Sequence, residues 1–274
     1  MTADTAEATT GDLLAFAMEL ADVADDITMR YYRAGGATEV KEKADRSLVT
    51  LADLEVEAEL RRRILERFPT HSILGEEEGT HAGTEASARW IIDPVDGTNS
   101  YGRGIPIWAT LIAFQRDGVS AVGVASAPAL GTRWWAGRGL GAYRASLPYG
   151  GGAVGGERIH VSSIETVADA QLLYGSFRLT LNAWGGRAAE LLQSAWRARG
   201  FSDFWGHCLV AEGSAEAMIE AEISPWDIAA MIVLVEEAGG VLTDLDGAPT
   251  IEAGHCITSN GHVHDDVLRR LRSG

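Results

Sequence analysis

The sequence is poor in the features that define several protein classes. It holds 2 cysteines in 274 residues, too few for a disulfide framework, and both Cys208 and Cys256 stand in apolar surroundings. Reduced, buried thiols in a cytoplasmic protein are therefore expected. No uninterrupted apolar run is long enough to read as a membrane span. The stretch from Met1 to Gly11 lacks basic charge and reads as a frayed tail, not a signal or transit peptide. Basic residues are scarce throughout: 23 Lys and Arg against 39 Asp and Glu give a formal net charge of −16. Such a balance argues against broad binding to nucleic acid or anionic membranes. No Cys/His cluster has zinc-ligand spacing. The glycine-rich stretch around residue 150 lacks the Lys-Ser or Lys-Thr that completes a nucleotide phosphate loop. Internal repeats are also absent. What remains is an acidic chain whose 46% hydrophobic content suffices for one large domain or two closely packed halves.

Its carboxylates are concentrated where regular elements begin or end. Trp90-Ile91-Ile92 is a short apolar strand, and Asp93-Pro94 blocks its continuation because proline lacks the N–H that a central strand donates. Asp96-Gly97 is a turn dipeptide followed by the hydroxyl of Thr98. Two acids on such a corner can share hard cations, while the N–H groups of Gly97 and Thr98 can face a phosphate. Ile73-Leu74-Gly75 leads likewise into Glu76-Glu77-Glu78. At Ser224-Pro225-Trp226-Asp227 a helix starts, with Ser224 at the N-cap, Pro225 at the first helical position, and Gly239-Gly240 at the far end. Each acid also has a plain alternative: a solvated loop for the glutamates, a capping box for Asp227.

Periodicity places an amphipathic helix from Asp12 to Tyr32 and a short extended segment at 38–43. A second helix starts near Thr50 or Asp53, with Arg61-Arg62-Arg63 mostly outside. Strands are expected at 108–115, 119–127 and 132–143, forming an antiparallel meander. Beyond the glycines, a strand at 171–175 and a helical stretch at 187–199 suggest an α/β half. The resulting division is a tail (1–11), an N-terminal α+β half with the acidic motifs (12–146), a glycine-rich connection (147–156) and a C-terminal α/β half (157–274).

Taken together, Gly-Glu-Glu at 75–77, Asp-Pro-Val-Asp-Gly-Thr at 93–98, and Trp-Asp-Ile-Ala-Ala at 226–230 with Glu-Ala-Gly-Gly at 237–240 resemble the inositol monophosphatase family. Lys43-Ala-Asp and Val49-Thr-Leu-Ala-Asp53 fit the same pattern. The resemblance runs from about residue 12 to the C-terminus. It implies a layered αβαβα sugar-phosphatase fold of mixed α/β class, a lithium-sensitive magnesium-dependent phosphatase, and a homodimer. Carried over by motif, Glu76, Asp93 and the carbonyl of Val95 hold one magnesium. Asp93, Asp96 and Asp227 hold a second, and a third ion leans on Glu76 through water. Thr98 and Asp53 orient and deprotonate the attacking water, unless Asp53 serves only as a helix N-terminal acid. Lys43, or nearby Lys41, balances the acidic cluster. Asn99-Ser100-Tyr101 and Met231 depart from the family pattern without removing a ligand.

Further stretches narrow the resemblance, among them 104–112, Arg133-Trp-Trp-Ala136 and His207-Cys-Leu-Val-Ala-Glu-Gly213. They are similar to the histidinol-phosphate phosphatases of actinobacteria. The implied reaction is release of phosphate from a small phosphomonoester, with inositol 1-phosphate as the alternative substrate and a non-catalytic metal-binding protein as a third possibility. Asp203 and Glu220 are then expected at the leaving alcohol, where a carboxylate binds an ammonium by a charge-assisted hydrogen bond. Capping of a local turn is the competing role for Asp203. His262 and His264 are expected as an exposed polar pair on one strand face.

Overall fold

A computed structural model describes residues 8–32, 40–42, 48–148 and 152–272. Helix α1 (Thr10–Tyr31) starts two residues earlier than periodicity suggested, because Thr9 and Asp12 form a capping box. Its Leu13, Ala17, Leu20, Ala24 and Ile27 line one buried face. A hairpin of β1 (Val40–Glu42) and β2 (Leu48–Thr50) feeds directly into α2 (Leu51–Arg67). The next elements are β3 (His71–Gly75), β4 (Gly79–His81), the long strand β5 (Glu85–Asp96) and the short helix α3 (Thr98–Gly102). The meander follows as β6 (Ala109–Arg116), β7 (Val119–Ala127), β8 (Thr132–Gly137), β9 (Gly141–Ser146) and β10 (Val154–Arg158). These strands form an eight-stranded sheet in the order β10-β9-β8-β7-β6-β5-β3-β4, antiparallel except where β3 runs parallel to β5.

The second part begins with β11 (Gln171–Tyr174), α4 (Phe177–Trp184), α5 (Gly186–Ser194), β12 (Arg197–Arg199) and α6 (Asp203–Ala211). It ends with β13 (Ala217–Ala221), α7 (Pro225–Glu237), β14 (Val241–Thr243), β15 (His255–Ser259) and α8 (His264–Arg272). Its five-stranded sheet has the order β12-β11-β13-β15-β14.

Strand alternation explains how the layers stack. Along β5, Trp90 and Ile92 face α1 and α2, whereas Ile91 points the other way, toward α7. Burying each such large apolar side chain is worth about 1.5–3 kcal/mol. Helix α7 is apolar nearly all round, as a helix sandwiched between layers must be. Helix α6 lies beside it and packs Leu209 and Val210 against Leu173 and Met218 of the second sheet. The outer face of that sheet is covered by α4, α5 and α8 through Trp184, Leu191, Leu268 and Leu271. The layers therefore run α1/α2, sheet, α6/α7, sheet, α4/α5/α8, which is the αβαβα arrangement.

Several local expectations differ from the structure. The span 132–143 is two strands, because a turn at 138–140 with Gly139 at φ 79° reverses the chain. The connection 147–156 is not irregular throughout: Val154 pairs with Ser146, and β10 continues the sheet. The helical stretch at 187–199 ends at Ser194 and becomes β12. Arg61 is turned inward and only 7% exposed. His264 is buried at the start of α8 instead of lying on a strand. Among the described residues, no helix is long and apolar enough to cross a membrane.

Candidate active site

Strand β5 does not stop at Pro94; it carries on to Asp96 through a bulge. Asp93 pairs with Leu111 and Asp96 with Ala109, so three steps on β5 oppose two on β6. In a regular strand, residues three apart point to opposite faces. The extra residue cancels that alternation and lets Asp93 and Asp96 approach one site. Pro94 supplies no donor there, and the Thr110 hydroxyl satisfies its carbonyl at 2.8 Å. Gly97, at φ 84°, then turns the chain into α3. The N–H groups of Gly97 and Thr98 stand at the open end of that turn, ahead of the helix's own hydrogen bonds.

Asp227 comes to the same place from α7. It is the third residue of the helix, and its Oδ2 accepts the N–H of Ser224 at 2.7 Å, so it caps the helix while facing the cluster. Asp93, Asp96 and Asp227 each bring a carboxylate oxygen within 4.8 Å of the other two. Burial, followed by the charge of neighbouring acids, holds Asp93 and Asp96 well above the usual carboxylate range. Asp227 is pushed up to about 7, again mainly by burial.

A second group joins Asp53, Glu76 and Glu77, with carboxylate oxygens within 4.8 Å of one another. Asp53 caps α2 with one carboxylate oxygen and turns the other toward Thr98. Its Oδ2 accepts from the N–H and hydroxyl of Thr50 at 2.8 and 2.5 Å, closing the capping box of α2. Its Oδ1 lies 3.5 Å from the Thr98 hydroxyl, which sits closer to the Val95 carbonyl at 2.9 Å. Burial pushes Asp53 up to about 7 against the lowering effect of Thr50.

The turn carrying Glu76 is held by a residue that the motifs did not reveal. Glu57 of α2 is fully buried, and its carboxylate accepts the backbone N–H groups of Glu77 at 2.7 Å and Glu78 at 3.0 Å. Arg61, one helical turn on, donates to the same carboxylate at 2.8 Å and also reaches the carbonyl of Gly79. Gly75 makes this possible: a Cβ there would fall 2.1 Å from Glu57 Oε1. The glycine of the Gly-Glu-Glu motif thus opens the space in which the glutamate turn is anchored. The only sequence signal was a Glu and an Arg four apart on α2, which also describes a solvated helix face.

The donor set suits a hard divalent cation. All of its side chains offer oxygen, and Asp93 Oδ1 is buried with no hydrogen-bond partner. An orphaned anionic oxygen inside a cluster of like charge is costly unless a cation lies against it. Lys43 lies outside the described residues, as does the side chain of Lys41.

Asp203 and Glu220 lie close to each other and beside the cation cluster: the charge of Asp203 raises Asp96, and that of Glu220 raises Asp227. Asp203 opens α6 in the left-handed region, at φ 57°, and is pushed up to about 6 by burial and then by the charge of Glu220. The next N–H, that of Phe204, donates to Asp96 Oδ2 at 2.6 Å and ties α6 directly to the β5 motif. Glu220 of β13 is 8% exposed and bonds to the buried His207 at 2.9 Å. His207 escaped sequence reasoning because it sits within the apolar face of α6. His264 is fixed structurally, between Thr243 and Ser259.

An acidic, oxygen-only cluster in an αβαβα fold defines the class of metal-dependent phosphomonoesterases. Consistent with that class, the family model for the inositol monophosphatase family matches residues 11–273. The chain belongs to the inositol monophosphatase family. Among curated proteins, it is 41% identical to a histidinol-phosphatase of Mycobacterium tuberculosis over 96% of this chain and 99% of that protein. It is also 41% identical to a histidinol-phosphatase of Streptomyces coelicolor, over 95% of this chain and 97% of the relative. Among solved structures, an inositol monophosphatase from Anabaena superposes with a TM-score of 0.80 at 30% identity, covering 95% of both chains.

Proposed function

We propose that this protein is a magnesium-dependent phosphatase that hydrolyses L-histidinol phosphate to L-histidinol and phosphate. The observation that carries the proposal is the pairing of two acidic centres. One, Asp93 with Asp96 and Asp227, has an orphaned buried oxygen suited to a cation. The other, Asp203 with Glu220, suits the positive charge of an amino alcohol. The 41% identity to two histidinol-phosphatases supports the same substrate.

In this mechanism, Glu76, Asp93 and the Val95 carbonyl would hold one magnesium, Asp93, Asp96 and Asp227 would hold another, and Glu76 would support a third. Bound magnesium supplies Lewis acidity toward the phosphoryl group and toward water. The ions also offset the net charge of −16, which would otherwise repel an anionic substrate. Thr98 orients the attacking water through its hydroxyl, and Asp53 takes the proton. As attack proceeds, charge builds on the phosphoryl oxygens and is met by the N–H groups of Gly97 and Thr98. The leaving oxygen takes a proton from water, and the alcohol departs toward Asp203 and Glu220. Inositol 1-phosphate is the alternative substrate, but its neutral polyol offers those two carboxylates no charge to pair with. From the family resemblance we add lithium inhibition, a homodimer and a cytoplasmic location.

Asp93→Asn tests the metal assignment. Removing the shared charge between two cation sites should abolish phosphate release and weaken magnesium binding in calorimetry. Near-normal turnover by the folded variant would refute it.

A further inference from the structure

Glu220 is one end of a buried hydrogen-bond chain that links α6 to the neighbouring strands β13 and β15 of the second sheet. His207 Nε2 lies 2.9 Å from Glu220 Oε2, and His207 Nδ1 lies 2.8 Å from the Thr258 hydroxyl. Cys256 stands directly across the β13–β15 ladder from Glu220, two residues before Thr258 on the same strand. His207 is 1% exposed, while Thr258 and Cys256 are fully buried.

Donor arithmetic gives this chain a direction. A glutamate carboxylate only accepts, so the imidazole donates from Nε2. In the neutral imidazole Nδ1 then accepts, and the Thr258 hydroxyl is its donor. Each donor has one acceptor, and every link ends in Glu220. Carboxylate Oε2 is thereby occupied, while Oε1 is turned to the other side, toward Gly175. A Cβ at Gly175 would come within 2.6 Å of that Oε1, so the glycine keeps its position open.

We propose that His207 is a positioning residue that sets specificity: it fixes Oε2 of Glu220 so that Oε1 is presented, beside Asp203, to the cationic end of the leaving alcohol. The inference rests on the functional assignment above, in which that alcohol carries an ammonium. A free glutamate side chain spreads over several rotamers, and ordering one on binding lowers affinity. Holding it in advance removes that cost for a cationic alcohol. A neutral polyol has less to gain, because its hydroxyl brings no full positive charge to the carboxylate. His207 touches no reacting atom, so its loss should appear in KM far more than in kcat.

The test compares wild type, His207→Leu and His207→Gln on histidinol phosphate and on inositol 1-phosphate, whose alcohol is neutral. The leucine variant should raise KM for histidinol phosphate about tenfold, leaving kcat and the KM for inositol 1-phosphate within about twofold. The glutamine variant, whose amide N–H can still reach Glu220, should recover most of the loss. Nitrogen-15 spectra of the wild type should show His207 protonated at Nε2 alone, a readout that needs no variant to fold. Equal losses on both substrates, no rescue by glutamine, or a proton on Nδ1 alone would overturn the role of His207. A wild type that does not prefer histidinol phosphate would instead overturn the substrate assignment on which the role rests.

Discussion

Replacing Glu57 by alanine is the most informative single perturbation outside the cation ligands. The substitution removes the acceptor of three donors at once: Glu77 N–H at 2.7 Å, Glu78 N–H at 3.0 Å and Arg61 Nε at 2.8 Å. Arg61 is 7% exposed and would remain buried beside the carbonyl of Gly79 and a more distant Glu78. Removing one partner of a buried ion pair costs about 3–5 kcal/mol. For a chain of this size, 1 kcal/mol corresponds to about 2–4 °C, so melting should fall by about 6–20 °C. The loss has a local consequence too. Glu77 and Glu78 follow Glu76 directly, and freeing their N–H groups lets the glutamate turn relax away from Asp93. Scanning calorimetry should therefore show the lower melting temperature, and titration of phosphate release with magnesium should show a higher midpoint. Glu57→Gln, which keeps the shape and one acceptor, should fall between alanine and wild type in both. A drop below about 2 °C with an unchanged magnesium midpoint would refute the anchoring role.

Two further predictions follow from the electrostatics. Asp53 and Asp227 lie near 7 in the folded chain against 3.8 when free, so the metal-free fold binds more protons than the unfolded chain across that interval. The stability they contribute is complete below 3.8 and lost as pH rises through about 7. The metal-free protein should thus melt lower at about pH 8 than at about pH 6, and magnesium should narrow the gap; a higher melting point at the alkaline pH would contradict this. Asp203→Asn should raise KM for histidinol phosphate by about tenfold while leaving that for inositol 1-phosphate nearly unchanged, whereas equal losses on both would leave Asp203 a purely structural turn residue.

The parts of the site that sequence made legible are those where chemistry and local punctuation coincide. Asp93 and Asp96 flank a proline, Asp227 follows an N-cap and a proline, and Glu76 follows a glycine, so each acid is marked by the break beside it. The αβαβα layering came from the family resemblance, since periodicity alone gives only mixed α and β. What stayed hidden depends on contacts across the chain. Glu57 and Arg61 have the spacing of an exposed ion pair, and only the approach of β3 and the glutamate turn buries them. His207 lies in an apolar stretch whose partner, Glu220, is thirteen residues further on and on a different element. The bulge that brings Asp93 and Asp96 together is set by register against β6, which no single-strand pattern encodes.

In the proposed function, the cation cluster and the carboxylate pair beside it together select a phosphate ester of a cationic alcohol. The most direct test is kcat/KM for phosphate release from histidinol phosphate and inositol 1-phosphate, each with magnesium and with a chelator. A strong preference for histidinol phosphate that disappears with the chelator is the predicted result. Greater efficiency on inositol 1-phosphate, or full activity without divalent metal, would contradict the account.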